Sequence, residues 1–134
     1  MHGAGSGDNA VERAASAVAY AVIGSVGLVA PRRVPQIFGA DAPTADSRTE
    51  VRAVYGGIPL AMVAVIAAGR RDGLRAAAAA SGGMALARAT GMLVEPRSRT
   101  ATTTGFLVLE AALAALLHRA AAKAAPGQVT GARR

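Results

Sequence analysis

Arg88 and Glu110 are the residues of this chain that most strongly indicate a functional or structural polar site, because each is a lone charge inside a long apolar segment. Arg88 interrupts the run at residues 76–94, and Glu110 interrupts the run at residues 100–117. A charge inside a membrane helix is costly, so such residues usually face the interior of a bundle and pair. We predict that Arg88 and Glu110 lie at similar depth on consecutive helices and make direct or water-bridged contact.

A second polar stretch, RTEVRAVYGG at residues 48–57, enters the same half of the predicted bundle from the first loop. At about 1.5 Å per residue along a helix, Arg88 lies about 10 Å and Glu110 about 15 Å deep, both measured from the side on which the first loop lies. One reading is an interfacial anchor, in which Arg and Tyr reach the lipid headgroups. The other is a single intramembrane cluster with Glu50 at its mouth. That candidate ligand-binding cluster consists of Glu50, Arg52, Tyr55, Arg88 and Glu110.

This cluster has two interpretations that the sequence leaves open. A buried ion pair could serve only to fix the register of neighbouring helices. The same residues could instead form a site for a small polar ligand, or hold a proton-sensitive carboxylate. A dry, fully paired cluster favours the first interpretation, and a pocket that opens toward the first loop favours the second.

Four apolar runs must position these residues, at residues 14–31, 53–69, 76–94 and 100–117. Their lengths fit helices that cross the hydrocarbon of a bilayer, which need about 20 apolar residues. The first two runs carry no charge on any face, whereas a helix of a soluble bundle has a polar outer face. A soluble Ala-rich bundle is therefore the weaker alternative, because 134 residues cannot bury four such helices.

The predicted fold is all-α: an integral membrane bundle of four antiparallel transmembrane helices with short loops. The membrane domain covers residues 14–120, with helices at about 14–31, 50–69, 75–94 and 100–118. Residues 1–13 are expected to form a disordered tail and residues 121–134 a basic tail. The third helix is unusually rich in Ala and carries Arg88, whose insertion costs about 2.5–3.5 kcal/mol at mid-helix. It needs its neighbours to stay inserted.

Small residues predict where these helices pack closely. Gly83, Ala87 and Gly91 recur at four-residue spacing on the third helix, which is typical of a close-packing stripe. The glycines predicted to allow close backbone approach elsewhere are Gly24, Gly27, Gly56 and Gly57. Pro59 is expected to kink the second helix because it lacks a backbone N–H.

The first loop opens with PRRVPQIFG, whose apolar side chains are spaced like one face of a helical turn. Val34, Ile37 and Phe38 could form a short interfacial turn, with the two arginines before them reaching phosphates. A plain loop held by two prolines is the equal alternative.

Composition excludes several classes of protein. The chain is 52% hydrophobic and 17% charged with mean hydropathy +0.34, which argues against disorder. It has no Cys, so disulfides, thiol catalysis and Cys-based metal sites are excluded. His2 and His118 offer no intramembrane pair for a haem and no metal-ligand spacing. No catalytic triad or phosphate-binding loop is present, so we expect no enzyme, metal or cofactor.

The basic charge predicts topology. Lys and Arg number eight in the N-terminal tail, second loop and C-terminal tail, against six in the first and third loops. Both termini are therefore expected in the cytoplasm. An excess of Arg over Lys together with the abundant Ala suggests a high-GC bacterial genome, hence the inner (plasma) membrane. The expected partners are the lipid bilayer and a second copy or a larger membrane complex. Nucleic acid is not expected, since no basic face carries stacking aromatics.

Several motifs resemble one family. RTEVRAVYGGIPLA, the later ALARATGML and the fourth-helix LVLEAALAALL are similar to the bacterial membrane family labelled domain of unknown function 4345. The resemblance covers roughly residues 14–120 and also includes the first-loop pattern P-x-x-V-P-Q-I-F-G. It implies four membrane helices and no assigned activity. The positions to which it applies are Glu50, Arg52, Tyr55, Gly56, Gly57, Arg88 and Glu110.

Three functions remain as hypotheses from the sequence. The first is a small membrane protein that binds a small amphipathic or polar molecule at its Arg/Glu/Tyr cluster, without enzymatic activity. The second is a purely structural accessory subunit of a larger membrane complex. The third is a proton-coupled small transporter that uses Glu110 and acts as an oligomer, because four helices are few for transport.

Overall fold

The computed structural model describes residues 4–124, with side chains from residue 9, and its regular elements there are all helical. A π-helical segment (Arg52–Gly57) joins the third and fourth helices without a break, and a 3-10 turn (Pro96–Ser98) precedes the last helix. The helices are α1 (Ala4–Val29), α2 (Arg33–Gln36), α3 (Ala45–Val51), α4 (Ile58–Ala68), α5 (Arg71–Val94) and α6 (Ala101–Lys123).

Three of these helical stretches are long and apolar enough to cross a membrane. They are Asn9–Val29, the continuous α3–α4 stretch Ala45–Ala68, and Ala101–Lys123. α5 has the length but not the apolar character, because it begins with Arg71 and Asp72 and half of its residues are Ala or Gly. This agrees with the expectation that the third apolar run is the weakest candidate. Length and composition therefore indicate a membrane protein.

The N-terminal boundary differs from the prediction. α1 begins at Ala4, so the described residues 4–13, expected to be part of a disordered tail, are helical. Two contacts join this N-terminal part of α1 to the rest of the molecule. Glu12 pairs with Lys123 at 3.0 Å, and the Arg13 guanidinium lies against Gly69 at the end of α4. Residues 1–3 and 125–134 of the predicted tails lie outside the described residues.

Capping explains why α3 starts earlier than the apolar run suggested. Thr44 Oγ1 accepts the backbone N–H of Ser47, and Ser47 Oγ accepts the backbone N–H of Thr44, both at 3.0 Å. This reciprocal capping box stabilises the first turn of a helix. At the other end, Gly69 adopts φ +64° and ends α4, so α5 begins directly at Arg71. The second loop is consequently only two residues long.

The hydrophobic core fills the half of the molecule that lies near this α4–α5 turn. α1 packs against α4 and α6, and α5 packs along most of α6. Tyr20 is buried in this core, and its hydroxyl lies 2.6 Å from Ser81 Oγ. Because Ser81 donates its one hydrogen to the Ala77 carbonyl, Tyr20 is the donor in this pair. The largest buried side chains around it are Ile66, Leu74, Leu113 and Leu117.

Glycine lets α1 lie directly against the π-helical segment. A Cβ atom at Gly27 would overlap the carbonyl of Tyr55, and one at Gly24 would lie 3.1 Å from the carbonyl oxygen of Gly56. A Cβ atom at Gly56 would lie 2.6 Å from Leu28 Cδ2. The predicted close approach at Gly24, Gly27 and Gly56 is therefore present.

Gly57 and the predicted stripe on α5 do not pack in this way. Gly57 is exposed, and so are Gly83, Ala87 and Gly91; a Cβ atom at Gly83 or Gly91 would meet no described atom within 4 Å. The prediction of a packing face on these residues is wrong. The face of α5 turned toward α6 lies on the opposite side of the helix and uses other small residues. Its buried members are Leu74, Ala77, Ala78, Ser81 and Ala85.

Pro59 lies just after the π-helical segment, and both interrupt the α-helical hydrogen-bond pattern. Proline has no N–H to donate, so the α-helical hydrogen bond from position 59 to the Tyr55 carbonyl cannot form. One residue earlier, the Ile58 N–H donates to the Ala53 carbonyl, a five-residue spacing typical of a π-helix. The wider helix places the Tyr55 backbone against α1 and its side chain at the cavity described below.

Candidate functional site

Arg88 and Glu110 form the ion pair predicted for them. Arg88 Nε donates to Glu110 Oε2 at 2.9 Å, and Arg88 Nη2 donates to Glu110 Oε1 at 2.7 Å. Two parallel bonds between a guanidinium and a carboxylate give a strong pair with a fixed geometry. The pair joins α5 to α6 at the point where both helices line a large cavity.

The two partners differ in how far they are buried. The Glu110 side chain is 9% exposed and the Arg88 side chain is 23% exposed. The carboxylate is thus enclosed by α6 and its neighbours, and the guanidinium is the part of the pair that remains accessible.

Two aromatic rings complete the surroundings of the guanidinium, and the sequence reasoning missed their role. Arg88 Cζ lies 5.6 Å from the ring centroid of Phe38 and 5.4 Å from that of Phe106. The two rings are also in contact, with centroids 5.1 Å apart. A cation within about 6 Å of an aromatic ring is attracted to its face. One signal was available, since Phe106 lies one helical turn before Glu110.

The cavity beside the ion pair has a volume of about 770 Å³. Small-molecule sites are typically clefts of about 300–1,000 Å³ with mainly apolar walls and a few polar groups. Twenty residues line it, and most of them are apolar; they come from α1, α2 and the turn after it, the π-helical segment, α4, α5 and α6. The polar side chains among them are Tyr20, Tyr55, Arg88 and Glu110.

The cavity lies in the half of the molecule that the hydrophobic core leaves empty. α4 and α5 approach closely near their connecting turn, where a Cβ atom at Gly73 would lie 3.0 Å from Val65 Cγ1. Farther from the turn, Ile58 on α4 and Met84 on α5 both line the cavity and remain more than 40% exposed. The space between these two helices is therefore open to the surroundings.

Tyr55 lies where the sequence predicted, but two other members of the predicted cluster do not. Tyr55 lines the cavity together with the ion pair. Arg52 is exposed, and its Nε donates to the Leu28 carbonyl at 3.3 Å, near the end of α1. Carbonyls in the last turn of a helix lack intrahelical partners, which explains this alternative contact. Glu50 is exposed on α3, outside the cavity lining, so the prediction that places Glu50 and Arg52 at the cluster is wrong.

The first loop contributes a helical turn, as one of its two interpretations proposed. α2 is a four-residue helix. Val34 is buried against Ala42 and Val51, which anchors the loop to the start of the second long helix. Ile37 and Phe38 follow α2 and line the cavity with Val34. The loop thus closes one end of the cavity and places Phe38 at the ion pair.

The fold and the site together define an all-helical membrane protein with an ion pair in the wall of an apolar cavity. The chain belongs to the family described as domain of unknown function DUF4345, whose model matches residues 13–120. The family membership inferred from the motifs is thereby confirmed. The searches of curated proteins and of solved structures gave no match.

Proposed function

We propose that this protein is a four-helix integral membrane protein that binds a small amphipathic molecule in the cavity beside Arg88 and Glu110. The observation that carries the proposal is the cavity itself: it has the volume of a ligand site and mainly apolar walls that carry a few polar side chains. We propose binding rather than catalysis as the activity.

The fourth membrane crossing is α5. It packs along α6 through a face of small residues, and its only charge inside the apolar run is neutralised by Glu110. These contacts offset the cost of inserting a helix of low hydropathy. The result is a bundle of antiparallel helices in which α5 depends on α6.

Both termini lie on the cytoplasmic side in this proposal. The pairing of Glu12 with Lys123 supports an even number of crossings, since it joins the N-terminal part of α1 to the last turn of α6. The excess of Lys and Arg near the termini supports the cytoplasmic side, which in a bacterium is that of the inner membrane.

The topology is tested with reporter fusions. A reporter that is active only in the periplasm should stay silent when fused after Arg134. It should be active when inserted into the third loop, directly before Ser98. A periplasmic signal from the C-terminal fusion combined with silence at the third loop would reverse the assignment.

The cavity is tested by filling it. Ala87 lines the cavity and is exposed, so Ala87→Leu should place new side-chain atoms in the ligand volume. We expect it to weaken binding of an amphipathic fluorescent probe to the detergent-solubilised protein by about tenfold, because overpacking costs about 1–3 kcal/mol.

Ala76→Leu is the matched control, on the same helix at an exposed position outside the cavity lining. It should leave probe binding unchanged, and both variants should keep the thermal stability of the parent protein. Equal probe binding by all three proteins would contradict the proposal.

The structural accessory subunit remains the second candidate, and one observation favours it. The Arg88–Glu110 pair is bidentate and direct, as expected for a contact that only locks α5 to α6. The cavity favours the binding function, because helix locking alone does not require an opening of this size beside the pair.

A further inference from the structure

We propose that the ligand of this cavity is a neutral lipid with an apolar chain and a carbonyl-bearing headgroup, held by Arg88 and Tyr55. This inference rests on the proposed binding function and specifies its ligand. The lipid enters the cavity from the bilayer rather than from the aqueous phase.

The first argument is the number of hydrogen-bond donors left at the ion pair. A guanidinium has five N–H groups, of which two are donated to Glu110. Within the described part of the chain, Arg88 has no other acceptor, so three N–H groups remain. The Tyr55 hydroxyl likewise makes no hydrogen bond to any group of residues 4–124. Arg88 and Tyr55 in the cavity wall therefore offer donors and call for an acceptor.

The second argument is accessibility. The Arg88 side chain is more exposed than that of Glu110, and each Glu110 oxygen already accepts one bond from Arg88. An incoming headgroup therefore meets the guanidinium rather than the carboxylate. This favours a headgroup that accepts hydrogen bonds over one that donates them.

The third argument is charge balance. Arg88 and Glu110 neutralise each other, and the remaining wall of the cavity is almost entirely apolar. An anionic headgroup would add an uncompensated negative charge close to Glu110 in surroundings of low polarity, which is costly. A carbonyl of an ester or ketone accepts the same hydrogen bonds without adding charge.

The fourth argument concerns the apolar chain and its source. Away from the ion pair, the cavity continues along apolar side chains such as Ile23, Met62 and Met84. The space between α4 and α5 that opens at Ile58 is bordered by apolar residues, so an apolar chain can enter it from the hydrocarbon of the bilayer. A water-soluble polar ligand would find no polar path through this opening.

Three probes with the same chain test the inference on the full-length protein in detergent. They are methyl hexadecanoate, the ionised hexadecanoate anion, and hexadecane, each competed against the fluorescent probe. We expect the methyl ester to bind about tenfold more tightly than hexadecane, because hydrogen bonds to a charged group distinguish them. The ionised acid should bind more weakly than the ester.

The outcomes separate this inference from the proposed function. Equal binding of the ester and hexadecane, or tightest binding by the ionised acid, would overturn the headgroup assignment while leaving the cavity as a lipid site. Failure of all three to displace a probe whose binding Ala87→Leu weakens would overturn the lipid assignment and leave the proposed function, whereas a probe that does not bind at all would contradict both.

Two variants add a readout on the headgroup. Tyr55→Phe should reduce the preference for the ester over hexadecane by about fivefold, the value of one hydrogen bond. Thr90→Val is the control: it also removes one hydroxyl group, but Thr90 is exposed on α5 outside the cavity lining. It should leave the preference unchanged, and an equal effect of both variants would contradict the role of Tyr55.

Glu110→Gln, where it folds, should reverse the preference in favour of the ionised acid, and an unchanged order would contradict the charge argument.

Discussion

Glu110→Gln is expected to lower the free energy of unfolding in detergent by about 3–5 kcal/mol, and Arg88→Gln to lower it by a similar amount. Each change removes one partner of a largely buried ion pair and leaves the other without its counter-charge, which is strongly destabilising. The measurements are the thermal melting curve and the yield of monodisperse protein after extraction.

The double variant decides whether the two residues act as a pair. Arg88→Gln combined with Glu110→Gln leaves no isolated charge and should recover part of the loss, giving a coupling energy of at least about 1 kcal/mol. Glu95→Gln is the control, because Glu95 is exposed at the end of α5 and should change stability by less than about 0.5 kcal/mol. Additive losses in the double-mutant cycle would rule out the pair.

Gly27→Ala should destabilise the protein by about 1–3 kcal/mol, the usual cost of forcing additional atoms into a packed interface. The added methyl group would overlap the Tyr55 backbone, which cannot move aside like the end of a flexible side chain. Since this contact holds the π-helical segment against α1, we also expect weaker probe binding at the cavity.

Gly91→Ala is the matched control for this prediction. It is also a helical glycine, but a Cβ atom there would meet no described atom within 4 Å. Replacing glycine by alanine inside a helix stabilises it by about 0.5–1 kcal/mol when no clash results. Melting temperatures that shift in the same direction for both variants would contradict the packing seen at Gly27.

The ion pair could be predicted from the sequence because its physics is local and strong. Two lone charges in neighbouring apolar runs have few ways to avoid an unfavourable environment, and pairing is the simplest. Depth counted along each helix was enough to place them opposite each other. The close approach at Gly24 and Gly27 followed from a similarly local rule, that glycine permits backbone contact.

The failures concern helix rotation and loop structure, which the sequence pattern does not determine. On α5 half of the 24 positions are Ala or Gly, so apolar periodicity could not show which face meets α6, and the stripe at Gly83 was assigned to the wrong side. Arg52 was placed in the cluster, whereas it contacts the end of α1. That contact depends on how two helices meet, which the sequence pattern does not show. The role of Phe38 depends on the path of the first loop and was likewise not predictable.

Native mass spectrometry of the detergent-extracted protein tests the central claim most directly, which is that the cavity holds a small amphipathic molecule. The parent protein and Ala76→Leu should retain an additional small-molecule mass that dissociates on stronger collisional activation, and Ala87→Leu should lose it. Spectra showing only the bare protein mass in the parent, under conditions that preserve lipid adducts on other membrane proteins, would contradict the proposed binding function. So would an equally retained adduct on the Ala87→Leu protein.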